Sequence, residues 1–239
     1  MASSTSSDLK LELITTGEKS GTWGTITNTN LQILEQAASG YISVDVAASD
    51  VALALSNHAV SNGKNLYFKF TGTLAANRTV TMPDGAERVF IVEDATTRST
   101  SNFTLTIKTA SGTGIALPVG SKCLVYSDGT NVNLGIRQKG YYTPTTAYTA
   151  VDGDQLLIDT SGSGIGSAIT ITLPASPSVG SEVHFIDSGN NFASNNLTIA
   201  RNGSNILGAA SNLVVNTSAS AFTLVFVNAT RGWAYKDKI

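Results

Sequence analysis

Apolar and polar residues alternate along most of this chain from Tyr41 onward. Ile42, Val44 and Val46 alternate with Ser43, Asp45 and Ala47, and Val51, Leu53 and Leu55 with Ala52 and Ala54. Leu66, Phe68 and Phe70 alternate with Tyr67 and Lys69, and Leu156 and Ile158 repeat that phase. A period of two sends successive side chains to opposite faces, so each run predicts a half-buried strand. Asn62-Gly63, Pro83-Asp84-Gly85, Asp128-Gly129 and Asp152-Gly153 supply turns between the runs. Short strands at this spacing fit antiparallel sandwiches or jelly rolls.

The first forty residues follow another pattern. Leu9, Leu11 and Leu13 alternate with Lys10 and Glu12, which predicts a half-buried strand. One helix follows. Thr27 is placed to cap it, with Ile26 and Leu31 as a hydrophobic staple. Leu31, Leu34 and Ala38 share one face, Ile33 and Ala37 lie beside it, and Gly40 stops it. A helix of about eleven residues is too short to stand alone, so its apolar face must dock.

The β region looks like one module written twice. Asn62–Phe68, Thr79–Pro83, Phe103–Ile107 and Cys123–Tyr126 recur in order as Asp152–Ile158, Thr170–Pro174, Asn196–Ile199 and Thr223–Phe226. The offset grows from 152 − 62 = 90 through 170 − 79 = 91 and 197 − 105 = 92 to 224 − 124 = 100. Kept order with drifting spacing is what duplication and loop insertion produce. The expected fold is all-β: two tandem antiparallel β-sandwich or jelly-roll-like modules after an N-terminal arm with one short α-helix. The arm covers 1–40, the modules 41–135 and 149–239, and a linker without periodicity 136–148. Modules of about 90 residues bury little surface and gain from association.

Composition narrows the function. Only 13% of residues are charged, against about 25% in ordinary soluble domains, which suits a protein that lives assembled. Net charge is −2 and no basic cluster occurs, so nucleic acid is not an expected partner. The single cysteine, Cys123, reads as a buried spectator thiol. No apolar run is long enough to span a membrane, and Met1–Ser7 lacks signal-peptide character, so synthesis in a cytoplasm is expected.

Candidate chemistry is sparse. His58 and His184 are far apart in sequence, and with Cys123 they do not supply a metal site. Gly17-Glu18-Lys19-Ser20 lacks the glycine that a phosphate-binding loop needs before its lysine. Gly162-Ser163-Gly164-Ile165-Gly166 precedes a strand, so no helix N-terminus faces it. Asp152, Asp154 and Asp159 lack calcium-loop spacing. Glu93-Asp94 and Asp187 occupy matching positions in the two copies, which points to shared turn chemistry. No cofactor, metal or catalytic residue is expected. The aromatics Trp23, Tyr141, Tyr142, Trp233 and Tyr235 fall in or near loops and termini, where such rings anchor interfaces or stack on sugars.

Gly21-Thr22-Trp23-Gly24-Thr25-Ile26-Thr27-Asn28-Thr29-Asn30-Leu31 resembles the N-terminal region of tail-fibre-like structural proteins of tailed bacteriophages, especially marine cyanophages. Leu124–Asn131 and Thr172-Leu173-Pro174 resemble recurring phrases of such fibre modules. The resemblance implies a non-enzymatic, homotrimeric, β-rich virion appendage, with its N-terminal part on the particle and its distal part facing the host. Trp23, Ile26, Leu31 and Leu34 would then dock to a neighbouring virion protein. Trp233, Tyr235, Tyr141 and Tyr142 would meet a host surface glycan or protein. The chain departs from long fibres in having no coiled-coil heptads and no enzymatic spike domain. A capsid decoration protein and a carbohydrate-binding module are the alternatives.

Overall fold

The computed structural model describes residues 3–99, 103–138 and 140–238. Its N-terminal arm opens with Ser4–Thr5 (β1) paired antiparallel to Glu12–Leu13 (β2). That ribbon is shorter than the alternation of Leu9, Leu11 and Leu13 predicts.

The helix α1 spans Trp23–Ser39 and begins four residues before the expected cap, so Thr27 lies inside it. Thr22 takes the N-cap position without a side-chain capping bond. Its hydroxyl instead donates to the Lys19 carbonyl at 3.3 Å. Gly21, with φ 82°, breaks the chain just upstream, and Gly24 is absorbed into the first turn. Gly40 does end the helix, in an extended conformation (φ −66°, ψ 135°) instead of the left-handed one. Glycine is required there by space. A Cβ would lie 2.3 Å from the Gln36 carbonyl oxygen and 2.6 Å from Asn65 Oδ1. The Gly40 carbonyl accepts the Leu66 and Tyr67 amides at 2.9 Å each, which ties the helix end to the start of the strand Tyr67–Thr71.

The chain divides into two compact units, residues 1–97, 104–117 and 122–138, and residues 98–103, 118–121 and 139–239. In chain order the first contains β3 (Tyr41–Asp45), β4 (Val51–Ala52), β5 (Tyr67–Thr71), β6 (Thr73–Leu74), β7 (Arg78–Met82) and β8 (Glu87–Asp94). After β9 (Thr97–Arg98) come β10 (Leu105–Thr109), β11 (Gly114–Leu117), β12 (Lys122–Asp128) and β13 (Val132–Gln138). A five-stranded sheet has the order β13-β12-β8-β5-β3 and a four-stranded sheet the order β11-β10-β7-β4. β6 and β9 make a small ribbon of their own.

The chain crosses from one sheet to the other after each of β3, β4, β5, β7 and β8. Its successive passes within a sheet are therefore parallel: β3 with β5, β5 with β8, β4 with β7, and β7 with β10. Within these two sheets, among the described residues, the antiparallel pairs are those of the closing strands β11, β12 and β13. The expectation of antiparallel modules is corrected here. Both pairings alternate side chains with the same period, so the apolar pattern carries no sign of strand direction.

The second unit repeats this winding. Its strands are β14 (Tyr141–Tyr142), β15 (Tyr148–Thr149), β16 (Gln155–Ile158), β17 (Ile169–Thr172), β18 (Glu182–Asp187), β19 (Leu197–Ala200), β20 (Leu213–Val215), β21 (Ala221–Asn228) and β22 (Gly232–Lys238). Sheets β14-β16-β18-β21-β22 and β15-β17-β19-β20 match those of the first unit strand for strand, with parallel pairs in the same places. The expected linker 136–148 thus holds the end of β13 and the whole of β14, a strand too short to show periodicity.

Register also corrects the alignment of the copies. Phe68 pairs with Val92 as Leu156 pairs with Phe185, an offset of 156 − 68 = 88. Val92 pairs with Cys123 as Phe185 pairs with Phe222, an offset of 222 − 123 = 99. The first and last blocks of the sequence match were therefore out by two residues and by one.

Inward positions of both sheets build each core. In the first unit Phe68, Phe70, Phe90, Val92 and Val125 face Val80, Met82, Leu105 and Ile107, all fully buried or nearly so. Phe68 meets Phe90 edge-on at 5.6 Å. In the second unit Leu156, Ile158, Val183, Phe185 and Leu224 share one cluster with Ile171, Leu197 and Ile199.

Two buried cations pin the segment before β5. Lys64 Nζ donates to the Ser56 and Ala59 carbonyls at 2.7 and 2.6 Å. Arg88 donates to the carbonyls of Gly63, Lys64 and Asn65, and its guanidinium sits 5.6 Å from the Phe90 ring centre. Burial lowers the pKa of Arg88 to about 10, and burial followed by the Arg88 charge lowers that of Lys64.

Candidate functional site

At 100° per residue, Trp23, Leu31, Leu34 and Ala38 fall within about 80° of one another around α1. Ile26 and Ile33 fall on the adjoining stripe. The structure buries that second stripe: Ile33 is wholly buried and Ile26 half-buried. Polar side chains hold the helix in this orientation. Asn30 Nδ2 donates to the Glu12 carbonyl at 2.8 Å, and its Oδ1 accepts the Glu12 amide at 3.0 Å. Gln36 Nε2 donates to the Ser61 carbonyl at 3.0 Å. The outer stripe stays in water, with Trp23 62%, Leu31 57% and Leu34 42% exposed. Three of the four expected docking residues are therefore gathered on one open face, and Ile26 turns inward.

The aromatic set of the second unit is not gathered. Trp233 is fully buried and meets Phe226 edge-on at 5.7 Å, so it is a core residue and cannot contact a glycan. Tyr142 packs against Tyr148 at 5.0 Å and Tyr235 against Phe222 at 5.5 Å, both on the margin of the core. Lys238 Nζ lies 5.0 Å from the Tyr235 ring centre, and burial raises the pKa of that phenol. Only Tyr141 is open, at the β14 edge of a sheet whose other edge is β22. Four strand spacings, about 19 Å, separate those edges. Nearness to loops in the sequence does not report which face of a strand a ring occupies.

The candidate polar residues serve local structure. Asp94 and Asp187, buried at matching strand ends, accept backbone amides of the turns that follow: Thr96 at 3.0 Å, and Asn191 and Phe192 at 3.1 and 3.2 Å. Asp152 accepts the Glu182 amide, Asp154 the Tyr148 hydroxyl and the Val151 amide, and Asp159 the Ser161 amide. Lys19 forms an ion pair with Glu12 at 3.0 Å. His58 Nε2 meets Thr5 Oγ1 at 2.8 Å, and His184 Nδ1 meets Thr223 Oγ1 at 2.8 Å. Among the described residues, no group of three or more His, Cys, Asp or Glu is placed to hold a metal ion. Among them, too, no helix is long and apolar enough to cross a membrane.

Sequence reasoning missed a second open apolar surface. Val89, Leu124, Tyr126 and Ile136 all stand exposed on β8, β12 and β13. Its signal was present: apolar residues occupy outward positions of strands whose inward positions are already apolar.

The described residues thus form a two-unit β protein of mixed parallel and antiparallel pairing, with an open apolar helix face. No family model matches the chain, and no curated protein matches it. A solved structure titled "Structure of a chaperone-substrate complex" is similar to 82% of the chain at 13% identity and a TM-score of 0.36. The chain spans 32% of the length of that structure.

Proposed function

We propose that the chain is a non-catalytic structural component of a tailed-phage particle, of the tail-fibre class, held to a neighbouring virion protein by the outer stripe of α1. The observation that carries this reading is the open stripe of Trp23, Leu31 and Leu34 on a helix whose other side is already anchored. An exposed Trp with two exposed Leu on one face is an interface anchor awaiting its pocket. The N-terminal resemblance to phage fibre proteins supports the same reading, since α1 lies within the resembling segment. The low share of charged residues suits permanent assembly.

The double variant Trp23→Glu/Leu34→Glu tests the docking. Both side chains already face water, so the purified variant keeps its melting temperature. Particles assembled with it should lack the protein on electron micrographs and in protein gels. Normal incorporation of the variant would overturn the docking assignment. Copy number per particle, a dozen or so against hundreds, separates a tail location from a capsid one.

A further inference from the structure

The open side of the second unit holds a cleft of about 330 Å³ between β20 and β22, edge strands of its two sheets. Val215, Phe222 and Tyr235 form an apolar wall, and Asn216, Thr217 and Lys238 a polar rim. Phe222 is buried and meets the Tyr235 ring edge-on at 5.5 Å. Lys238 Nζ stands 5.0 Å from the centre of that ring. Among the described residues, this ammonium has no carboxylate partner, and the Asn216 and Thr217 side chains make no hydrogen bond. The turn that carries them is held from behind. The Ala219 amide donates to Asp187 Oδ2 at 3.1 Å, the Ala193 amide to Ser218 Oγ at 3.1 Å, and Ser220 Oγ to the Thr217 carbonyl at 2.6 Å. Ala219 adopts φ 59°, a left-handed conformation that a residue with a Cβ keeps only where its surroundings enforce it.

The first unit shows that the fold does not require this chemistry. By register, Val215, Phe222 and Tyr235 correspond to Leu117, Cys123 and Leu134. Residues 118–121, Pro-Val-Gly-Ser, stand in place of 216–220, and Gly120 takes the left-handed position at φ 73°. The cation alone has a like counterpart, Arg137. The two rings, the amide and the hydroxyl are therefore particular to the second unit.

We infer that this cleft binds a carboxylate carried on one hydroxylated ring. Lys238 takes the carboxylate, and the apolar wall takes the C–H face of the ring. Asn216 and Thr217 each offer a donor and an acceptor, which suits ring hydroxyls that both give and take hydrogen bonds. The volume lies at the small end of ligand cavities, about 300–1,000 Å³, and admits a single ring. A uronic acid residue of a polysaccharide and a free cyclic hydroxy acid share this chemistry. A neutral sugar leaves Lys238 without an anion, and an unhydroxylated cyclic acid leaves Asn216 and Thr217 without partners.

Calorimetric titration of the purified full-length chain tests the site, with trigalacturonate and quinate as probes. Saturable binding of at least one is expected, with a Kd on the order of 1 mM for a ligand of this size. Trigalacturonate alone would assign a polysaccharide as the source, and quinate alone a free acid. Galactose and cyclohexanecarboxylate each lack half of the chemistry and should bind at least about tenfold more weakly. Lys238→Met, and separately Asn216→Ala with Thr217→Val, should weaken binding by about tenfold. Lys236→Met lies on the same strand but is paired with Glu182 at 2.7 Å, and should leave binding unchanged. Melting curves confirm that each variant folds. Binding of neither probe overturns the inference, as does galactose or cyclohexanecarboxylate binding equally well, or a Lys238→Met chain that binds like wild type. The particle-incorporation test of the helix stripe reads the other unit, so either result can fail without the other.

Discussion

Arg88 and Lys64 bury charge where the chain has little charge to spend. Five carbonyl oxygens between Ser56 and Asn65 depend on these two side chains for donors. Arg88→Met should cost roughly 3 kcal/mol in denaturant unfolding, because three buried acceptors lose their partner at once. Arg88→Lys should recover only part of that, since an ammonium cannot fork across three carbonyls. Tyr67 offers a separate readout. Its hydroxyl donates to Glu93 at 2.7 Å, and burial, then that carboxylate, raises its pKa from 10.0 to about 12. The folded state therefore holds this proton more tightly than the unfolded state. Its contribution is whole below pH 10 and is lost as pH rises through about 12. The stability difference between wild type and Tyr67→Phe should stay level up to pH 10 and shrink above it. Arg88, with its lowered pKa, works in the opposite direction over that range, and the paired comparison cancels it. Neither residue was legible beforehand. Lys64 lies in the polar stretch Ser61–Asn65 and Arg88 at the head of the apolar run Val89–Val92, and only the fold shows which carbonyls surround them.

At the scale of elements, the end of α1 was readable and its start was not. Gly40 stops the helix as the sequence suggests, yet its role is clearance instead of left-handed backbone. Gly40→Ala should therefore destabilise the first unit by about 1–3 kcal/mol, the range for an overpacked site. Its amide-exchange signature would be faster exchange at Leu66 and Tyr67, whose N–H groups bond the Gly40 carbonyl. Unchanged protection there would show that the helix end can shift freely. The start was missed because Gly24 and the β-branched Thr25 and Thr27 are weak helix formers. Contacts made by Ile26, Asn30 and Ile33 outweigh that preference. Strand positions fared better than strand direction. The alternation over Ile42–Val46 and Leu66–Phe70 places Val46, Phe68 and Phe70 in the core, where each is fully buried. Whether a neighbour runs the same way or the opposite way depends on where the chain goes between strands, and alternation is silent on that.

Across the molecule, the written-twice pattern and the twice-wound topology agree in order and differ in detail. Thr79–Pro83 and Thr170–Pro174 lie at equivalent places, on β7 and β17, and Asp94 and Asp187 close equivalent strands. The open surfaces were less legible. Exposure of the α1 stripe and of the first unit's sheet depends on which side of each element the body covers, and no local window of sequence reports that. The regular crossing between sheets has a further consequence. Residues 72–77 join β5 to β7 in the first unit, and 159–168 join β16 to β17 in the second. Residues 110–113 join β10 to β11, where 201–212 join β19 to β20. These connections have lengthened while every flanking ladder kept its partners, and doubling a flexible connection costs only about 0.6 kcal/mol. Variation can thus accumulate at the rims of this architecture, copy by copy, without renegotiating the frame that presents it.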